Sequence, residues 1–260
     1  MTSPPTETRP DLADDNLVSS KSPRRVQEMF GTISPTYDLL NHLFSLNIDK
    51  RWRNFTARQA LDKNVSDILD VCGGTGDMAL ALAAHAARLQ GNPRIISSDF
   101  TPGMIKIGSR KFARYNGTSA PVPLVADTTC LPFADNSFDV VTVAFGIRNV
   151  VNAQQGLNEM ARVCRPGGTV AVLEFSETRH PLINWAFQLY FRRILPAAGR
   201  LVTGTGAYGY LSKSVAKFPE GEAFCKMLTA ATSGETRARR LSFGIATLYI
   251  SSKKTADSDR

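Results

Sequence analysis

The sequence predicts an α/β fold, a mostly parallel sheet with helices on both faces. Three observations carry that prediction. Short apolar runs alternate with helix-period segments from Ser66 onward. A glycine turn, Gly73-Gly74-Thr75-Gly76, follows the first of those runs, where such sheets receive ligands. The run Phe138 to Ala144 is largely apolar, as a strand covered on both faces has to be.

The elements follow in order. Ile68 to Val71 reads as a short buried strand, and Met78 to Leu89 as an alanine-rich apolar helix. Arg94 to Ser98 is a second strand that ends at Asp99. Pro102 stands where the first turn of a helix tolerates proline, with Thr101 placed to cap it. Leu124 to Ala126 is a third strand and Phe138 to Ala144 a fourth. Leu157, Met160, Ala161 and Cys164 share one helical face, closed by Pro166-Gly167-Gly168. Thr169 to Phe175 is the fifth strand, and the strand pattern resumes at Gly244 to Ser251.

Two segments break the rhythm. Residues 23–62 read as a broken helical cap, rich in aromatics and asparagine, with Trp52 and Phe55 as core positions. Residues 180–219 form an aromatic and basic insertion containing Trp185, Phe187, Phe191, Arg192, Arg193 and Arg200. Polar tails at 1–22 and 253–260 are expected to be disordered, leaving 23–252 as a single domain.

Composition narrows the chemistry. The chain has 260 residues, of which 43% are hydrophobic and 21% charged, enough for a core without covalent staples. Four scattered cysteines without a C-x-x-C pair argue against a zinc site or a disulfide framework, and point to a reducing compartment. Three histidines at unrelated spacings give no metal centre. No run is long enough to span a membrane. The N-terminus lacks an apolar core and carries too many acids for a transit peptide, which favours a bacterial enzyme. The net charge of +8 admits nucleic acid, an anionic membrane surface, an anionic ligand, or simply a solvated basic surface.

Glycines at a strand's carboxyl end let backbone amides approach a ligand closely. Asp99 stands 23 residues after Gly76, at the end of the next strand, where a carboxylate can accept both ribose hydroxyls of a nucleoside. Gly74-Thr-Gly76-Asp-Met-Ala79 also satisfies the dinucleotide fingerprint, so a nicotinamide oxidoreductase stays open. Against it, Asp70 would repel a pyrophosphate but suits a cationic amino-acid group. Asp127 and Thr128 at the end of the third strand suit an adenine edge, and Leu131-Pro-Phe133 its face. Cys72 has no histidine beside it in sequence and is no nucleophile candidate.

These motifs, with Asn136-Ser-Phe-Asp139 and Arg165-Pro-Gly-Gly168, resemble the serial motifs of class I S-adenosylmethionine-dependent methyltransferases. Tyr37-Asp-Leu-Leu-Asn41, Trp52-Arg53, Phe145-Gly-Ile-Arg-Asn149, Leu173-Glu-Phe-Ser176 and Tyr208-Gly-Tyr-Leu211 extend the likeness across residues 24–250. They are similar to the C-methyltransferase family of ubiquinone and menaquinone biosynthesis. The resemblance implies a Rossmann-like, seven-stranded sheet and S-adenosylmethionine as methyl donor. It implies cofactor contacts at Thr75, Asp99, Asp127, Thr128 and Ala144, the last through its backbone because relatives often carry serine there.

The implied reaction is methylation of a ring carbon on a polyprenylated quinol, most simply demethylmenaquinol to menaquinol, with the ubiquinone-pathway benzoquinol as the alternative. The reacting atoms must be held about 3 Å apart in line, and the quinol oxygen must approach the anionic state. Arg148 is expected to stabilise that anion, since an arginine hardly deprotonates, with Asn149 as a donor and Tyr37 orienting the ring. A loop-stabilising ion pair is the other use for Arg148. A substrate with an isoprenoid tail requires access to the bilayer. The insertion at 180–219 therefore suits either the inner face of the cell membrane, from a cytoplasmic protein, or a homodimer contact. An RNA-binding or RNA-methylating protein remains as a different class, but the basic residues form no stripe and no nucleic-acid partner is expected.

Overall fold

The computed structural model describes residues 27–28, 31–32, 47–178, 189, 193 and 214–255. Seven strands form one sheet: β1 (Asp67–Val71), β2 (Arg94–Asp99), β3 (Val122–Val125), β4 (Phe138–Ala144), β5 (Cys164–Phe175), β6 (Thr236–Leu241) and β7 (Ala246–Ser252). Their spatial order is β3-β2-β1-β4-β5-β7-β6. All neighbours are parallel except β7, which runs antiparallel to β5 and β6. The chain reverses its direction of travel across the sheet beside β1, so the carboxyl ends of β1 and β4 part there and leave room for a ligand.

Among the described residues, five helices cover the sheet: α1 (Ile48–Ala60), α2 (Asp77–Arg88), α3 (Pro102–Phe112), α4 (Ala153–Val163) and α5 (Glu222–Thr232). The alternation of side chains along each strand sorts the core into two layers. On one face Ile68, Val140, Ala171, Leu173 and Leu248 pack against Trp52 and Ala57 of α1 and Met78 and Leu82 of α2. On the other, Leu69, Val141, Val143, Val170 and Tyr249 meet Leu157 and Met160 of α4 and Phe224 of α5. Trp52 is buried and Phe55 half-buried against the first layer, so this part of the N-terminal segment is core.

Several boundaries differ from the sequence expectation. The helix expected to close at Pro166 ends at Val163, and β5 begins at Cys164, which pairs with Phe138. The Pro-Gly-Gly motif lies within the strand, and a β-carbon at Gly168 would stand 2.7 Å from the Asp139 carbonyl. Only glycine admits that approach. Thr101 precedes α3 as expected, but its hydroxyl does not cap the helix. The strand β6, Thr-Arg-Ala-Arg-Arg-Leu, has no apolar face to announce it, since an edge strand can leave most side chains in water. Lys253, expected in a disordered tail, exchanges backbone hydrogen bonds with Gly167 and Gly168, and its Nζ donates to the Cys164 carbonyl at 2.8 Å. Tyr37 and the residues of the insertion from Trp185 to Arg200, apart from Leu189 and Arg193, lie outside the described residues.

The start of α4 depends on one cap: the Asn152 side chain accepts from the Gln155 N–H at 3.0 Å. Asn152→Ala leaves that amide without a partner and is expected to cost ~1 kcal/mol. Chemical denaturation should show a lower midpoint at an unchanged slope.

Candidate active site

An open cleft of about 900 Å³, counting the part open to solvent, lies at the carboxyl ends of β1, β2 and β4. Its floor is the glycine loop. The Gly73 N–H donates to the Ser98 carbonyl at 2.8 Å, which ties the loop to the end of β2. Gly74 has φ +58, and a β-carbon there would meet nothing within 4 Å, so its exposed backbone faces open space. Gly76 has φ +88 and serves packing: a β-carbon there would stand 2.2 Å from the Phe112 ring. Lys111 of α3 pins the beginning of α2, with its Nζ 2.6 Å from Asp77 and 3.2 Å from the Thr75 hydroxyl.

Asp99 forms the side of the cleft. Its two carboxylate oxygens accept from the Gly74 N–H at 2.9 Å and the Thr101 N–H at 2.7 Å. The carboxylate, which also receives the Thr101 hydroxyl, has acceptor capacity left for a ligand hydroxyl. Burial raises the Asp99 pKa, and those N–H donors work against the rise. Asp127, Thr128 and Ala144 line the cleft as well. One Asp127 oxygen accepts from the backbone and hydroxyl of Thr129, both at 2.8 Å, which fixes the loop after β3.

Asp70 lies beneath the glycine loop and is fully buried. Its Oδ1 accepts from the Thr142 hydroxyl of β4 at 2.8 Å, while Oδ2 has no hydrogen-bond partner. A β-carbon at Gly73 would stand 3.0 Å from that oxygen, so only the glycine backbone separates it from the cleft. Burial pushes Asp70 up to about 7, against the pull of the Thr142 hydroxyl and the Arg53 charge. An orphaned carboxylate oxygen under a thin floor fits a cationic ligand group above it.

The loop after β4 completes the cleft with Phe145, Gly146, Asn149, Val150 and Val151. Asn149 faces it, and its amide oxygen is buried without a hydrogen-bond partner. Arg148 takes the opposite direction. It is 5% exposed, its Nη1 donates to Glu174 at 2.7 Å and to the Phe145 carbonyl, and its guanidinium sits 5.5 Å from the Phe175 ring centre. Its Nε has no hydrogen-bond partner. The arginine thus lies behind the loop and the asparagine in front.

The adenine-face loop expected at Leu131-Pro-Phe133 is used elsewhere. Leu131 is buried in the second core layer and Phe133 packs edge-on against Phe138, ring centres 4.9 Å apart. The apolar walls are Phe100, Met104, Val150 and Val151. Phe100 directly follows Asp99 and is 37% exposed, a signal that was present in the sequence beside the acid. Arg53 of α1 also lines the cleft, its guanidinium 5.2 Å from the Phe145 ring centre and its Nε 3.6 Å from Asp49. Burial pushes the Cys72 thiol far up, which leaves it inert as a nucleophile.

Family membership, with this fold and cleft, makes the chain an S-adenosylmethionine-dependent methyltransferase. Solved structures with the same fold include the [4+2]-cyclase SpnF, at a TM-score of 0.60 and 15% identity over 91% of this chain and 97% of that one. Another is an S-adenosylmethionine-dependent methyltransferase, described as a possible histamine N-methyltransferase, from Thermotoga maritima (TM-score 0.55, 16% identity, 87% and 100% covered). The chain belongs to the ubiE/COQ5 methyltransferase family, whose model matches residues 18–253. It is 42% identical to the demethylmenaquinone methyltransferase of Deinococcus radiodurans over 95% of this chain and 99% of that one. It is also 42% identical to the ubiquinone/menaquinone biosynthesis C-methyltransferase UbiE of Geotalea daltonii, over 88% and 96%.

The buried Asp70 makes a pH-dependent prediction. A carboxyl raised from 3.8 to about 7 in the fold favours the neutral form, so it stabilises the free protein at low pH. That contribution is lost as pH rises from about 4 to about 7. Asp70→Asn stays neutral throughout, so its melting temperature should gain on that of the wild type across this window. Parallel pH profiles would show no change if Asp70 titrates normally.

Proposed function

We propose that this chain methylates a ring carbon of a polyprenylated quinol, converting demethylmenaquinol to menaquinol. The observation that carries the reading is that one cleft joins the Asp99 and glycine-loop cradle to the orphaned amide of Asn149. When bound, S-adenosylmethionine supplies an electrophilic methyl group and leaves as S-adenosylhomocysteine.

The residues divide the work. Gly73, Gly74 and Thr75 offer backbone and hydroxyl groups, Asp99 accepts ribose hydroxyls, and Asp70 places its charge below the cofactor's ammonium group. Asp127, Thr128 and the Ala144 backbone hold the far end, and Phe100 and Met104 give the base an apolar wall. Gly76 contributes by letting α2 and α3 close up behind the loop. Asn149 lines the cleft, where its NH₂ group would donate to a quinol oxygen and stabilise negative charge developing there. Arg148 holds the Phe145 carbonyl from behind the loop, and its pairing with Glu174 keeps it in place, so it acts by positioning the loop that carries Asn149. Tyr37 orients the ring.

Relatives named demethylmenaquinone methyltransferase in Deinococcus radiodurans and Thermus thermophilus support the naphthoquinol. Relatives named for both ubiquinone and menaquinone keep the benzoquinol as a second reading. On this reading the substrate is bilayer-resident, and the protein works from a bacterial cytoplasm against the inner face of the membrane.

Incubating the purified protein with methyl-labelled S-adenosylmethionine and either quinol, then extracting the lipid, tests the reading. Label is expected in the naphthoquinol, and label in the benzoquinol alone would select the second reading. No transfer to either, with saturable binding of a nicotinamide dinucleotide instead, would overturn both.

Asn149→Ala should lower kcat by about 10²–10³, with cofactor affinity within a few-fold of wild type by calorimetry. Arg148→Ala should nearly abolish transfer but also strands Glu174 as a lone buried charge. The Arg148→Gln, Glu174→Gln pair removes that complication. It should fold normally, bind cofactor and still lose most of the rate, whereas recovery of full activity would make the ion pair purely structural.

A further inference from the structure

The turn between β6 and β7 holds an aromatic ring in water in a costly conformation. Phe243 is 78% exposed, with φ 60 and ψ 17, and its neighbour Ser242 has φ 45. The left-handed region is strained for a residue with a β-carbon, and such strain persists only where the surroundings impose it. They do so here. Trp52 Nε1 donates to the Ser242 hydroxyl at 2.9 Å, the Ser176 hydroxyl to the Gly244 carbonyl at 2.7 Å, and the Thr178 hydroxyl to the Phe243 carbonyl. The ring is held outward by design of the turn, at the expense of backbone ease.

Its surroundings are basic. Arg237, Arg239 and Arg240 of β6 are all exposed. Arg239 and Arg58 of α1 flank the Phe55 ring, at 4.7 and 5.8 Å from its centre. Arg240 lies at the turn itself, its Nη1 3.5 Å from where a β-carbon at Gly244 would stand. The exposed Glu177 adjoins the same turn from the end of β5, so the cations are on the β6 side, while Arg237 lies at the far end of β6, opposite Ile250 and 3.5 Å from Glu235.

Position gives the patch a use. β5 and β6 are both antiparallel to β7, so the turn after β6 lies at the carboxyl end of the parallel strands, the end that holds the cleft. Trp52 links the two: it bonds to Ser242 in the turn and packs on Phe145, which lines the cleft, with ring centres 6.0 Å apart.

We propose that Phe243, with Arg239 and Arg240 beside the turn, docks this end of the sheet on an anionic lipid surface, the ring entering the acyl boundary and the guanidinium groups meeting headgroup phosphates. Charge complementarity and a single outward aromatic at a cationic rim fit an interface of that kind. A second copy fits less well, because arginines along an open edge strand repel the like-charged edge of another chain. The proposal rests on the lipophilic quinol reading above, since that substrate resides in the bilayer and the docked face brings the cleft end of the sheet to it.

Flotation of the full chain with phosphatidylglycerol/phosphatidylcholine vesicles tests it. Binding is expected to the mixed vesicles and not to pure phosphatidylcholine. Phe243→Ser should weaken binding about tenfold, and each of Arg239→Gln and Arg240→Gln about fivefold. These surface variants should keep wild-type methyl transfer to a short-tailed quinol in solution while slowing transfer to the long-tailed quinol in vesicles. Unchanged vesicle binding by the variants would overturn the proposal, as would a Phe243-dependent dimer in sedimentation velocity or Phe243-dependent RNA binding without lipid binding. Failure of every quinol to accept a methyl group would overturn the functional reading alone, because flotation reads the surface without catalysis.

Discussion

At Gly146 a β-carbon would stand 2.3 Å from the Cys72 β-carbon, so the loops leaving β1 and β4 meet with the Cys72 side chain directly against the Gly146 backbone. Much of the site depends on that approach. Both loops must turn sharply as they leave the sheet, and both do so through a residue other than glycine in the left-handed region, Cys72 with φ 49 and Phe145 with φ 60. The strain is offset by anchorage on either side. The Gly73 N–H reaches the end of β2, and the Phe145 N–H reaches the Leu173 carbonyl of β5 at 2.8 Å. Tied in this way, the two loops part above their contact, and the space between them is the cleft.

Beneath that contact the protein keeps ionisable groups where water does not reach, and treats them differently. Asp70 receives the Thr142 hydroxyl on one oxygen and feels the Arg53 charge, but burial outweighs both and the proton is retained to about pH 7. An incoming positive charge would shift that balance, which makes the carboxyl responsive to a cationic ligand. Arg148 and Glu174 are buried as a pair, 5% and 2% exposed, and neither can be removed alone without stranding the other. Such a pair adds little net stability against well-packed apolar groups. Its effect here is geometric, because the same guanidinium nitrogen that meets Glu174 also holds the Phe145 carbonyl at the strained turn.

The central strands were legible because burial on both faces leaves an unmistakable apolar record, as in Phe138 to Ala144, whose observed bounds match the expected ones. The edge strand β6 was not, because its arginines face solvent and only pairing with β7 makes it a strand. Within the site, Gly73, Gly74, Asp99, Asp127 and Thr128 were legible from their place at strand ends. Phe100, Met104 and Arg53 were missed: Phe100 and Met104 stand on either side of the Thr101-Pro102 helix start and line the cleft only once β2 and α3 are packed, and Arg53 reaches the cleft from an element more than forty residues upstream of Asp99. Leu131 and Phe133 were assigned to a ligand face because an apolar loop beside a site and an apolar loop beneath it have the same composition.

The amino-acid sequence by itself determined the sheet's strand–helix order, the kind of ligand its glycine turn and terminal acid can accept, and the family likeness. These depend on local spacing and on residue chemistry. Only the tertiary structure decided which way adjacent side chains point. Arg148 and Asn149 are neighbours in sequence, yet the tight 3₁₀ turn from Ile147 to Asn149 sends one to Glu174 behind the loop and the other into the cleft. The same is true of Phe243, whose exposure follows from a backbone held by Trp52, Ser176 and Thr178, residues brought together only by the fold. Orientation of this kind is set by contacts between distant segments, and no local pattern records it.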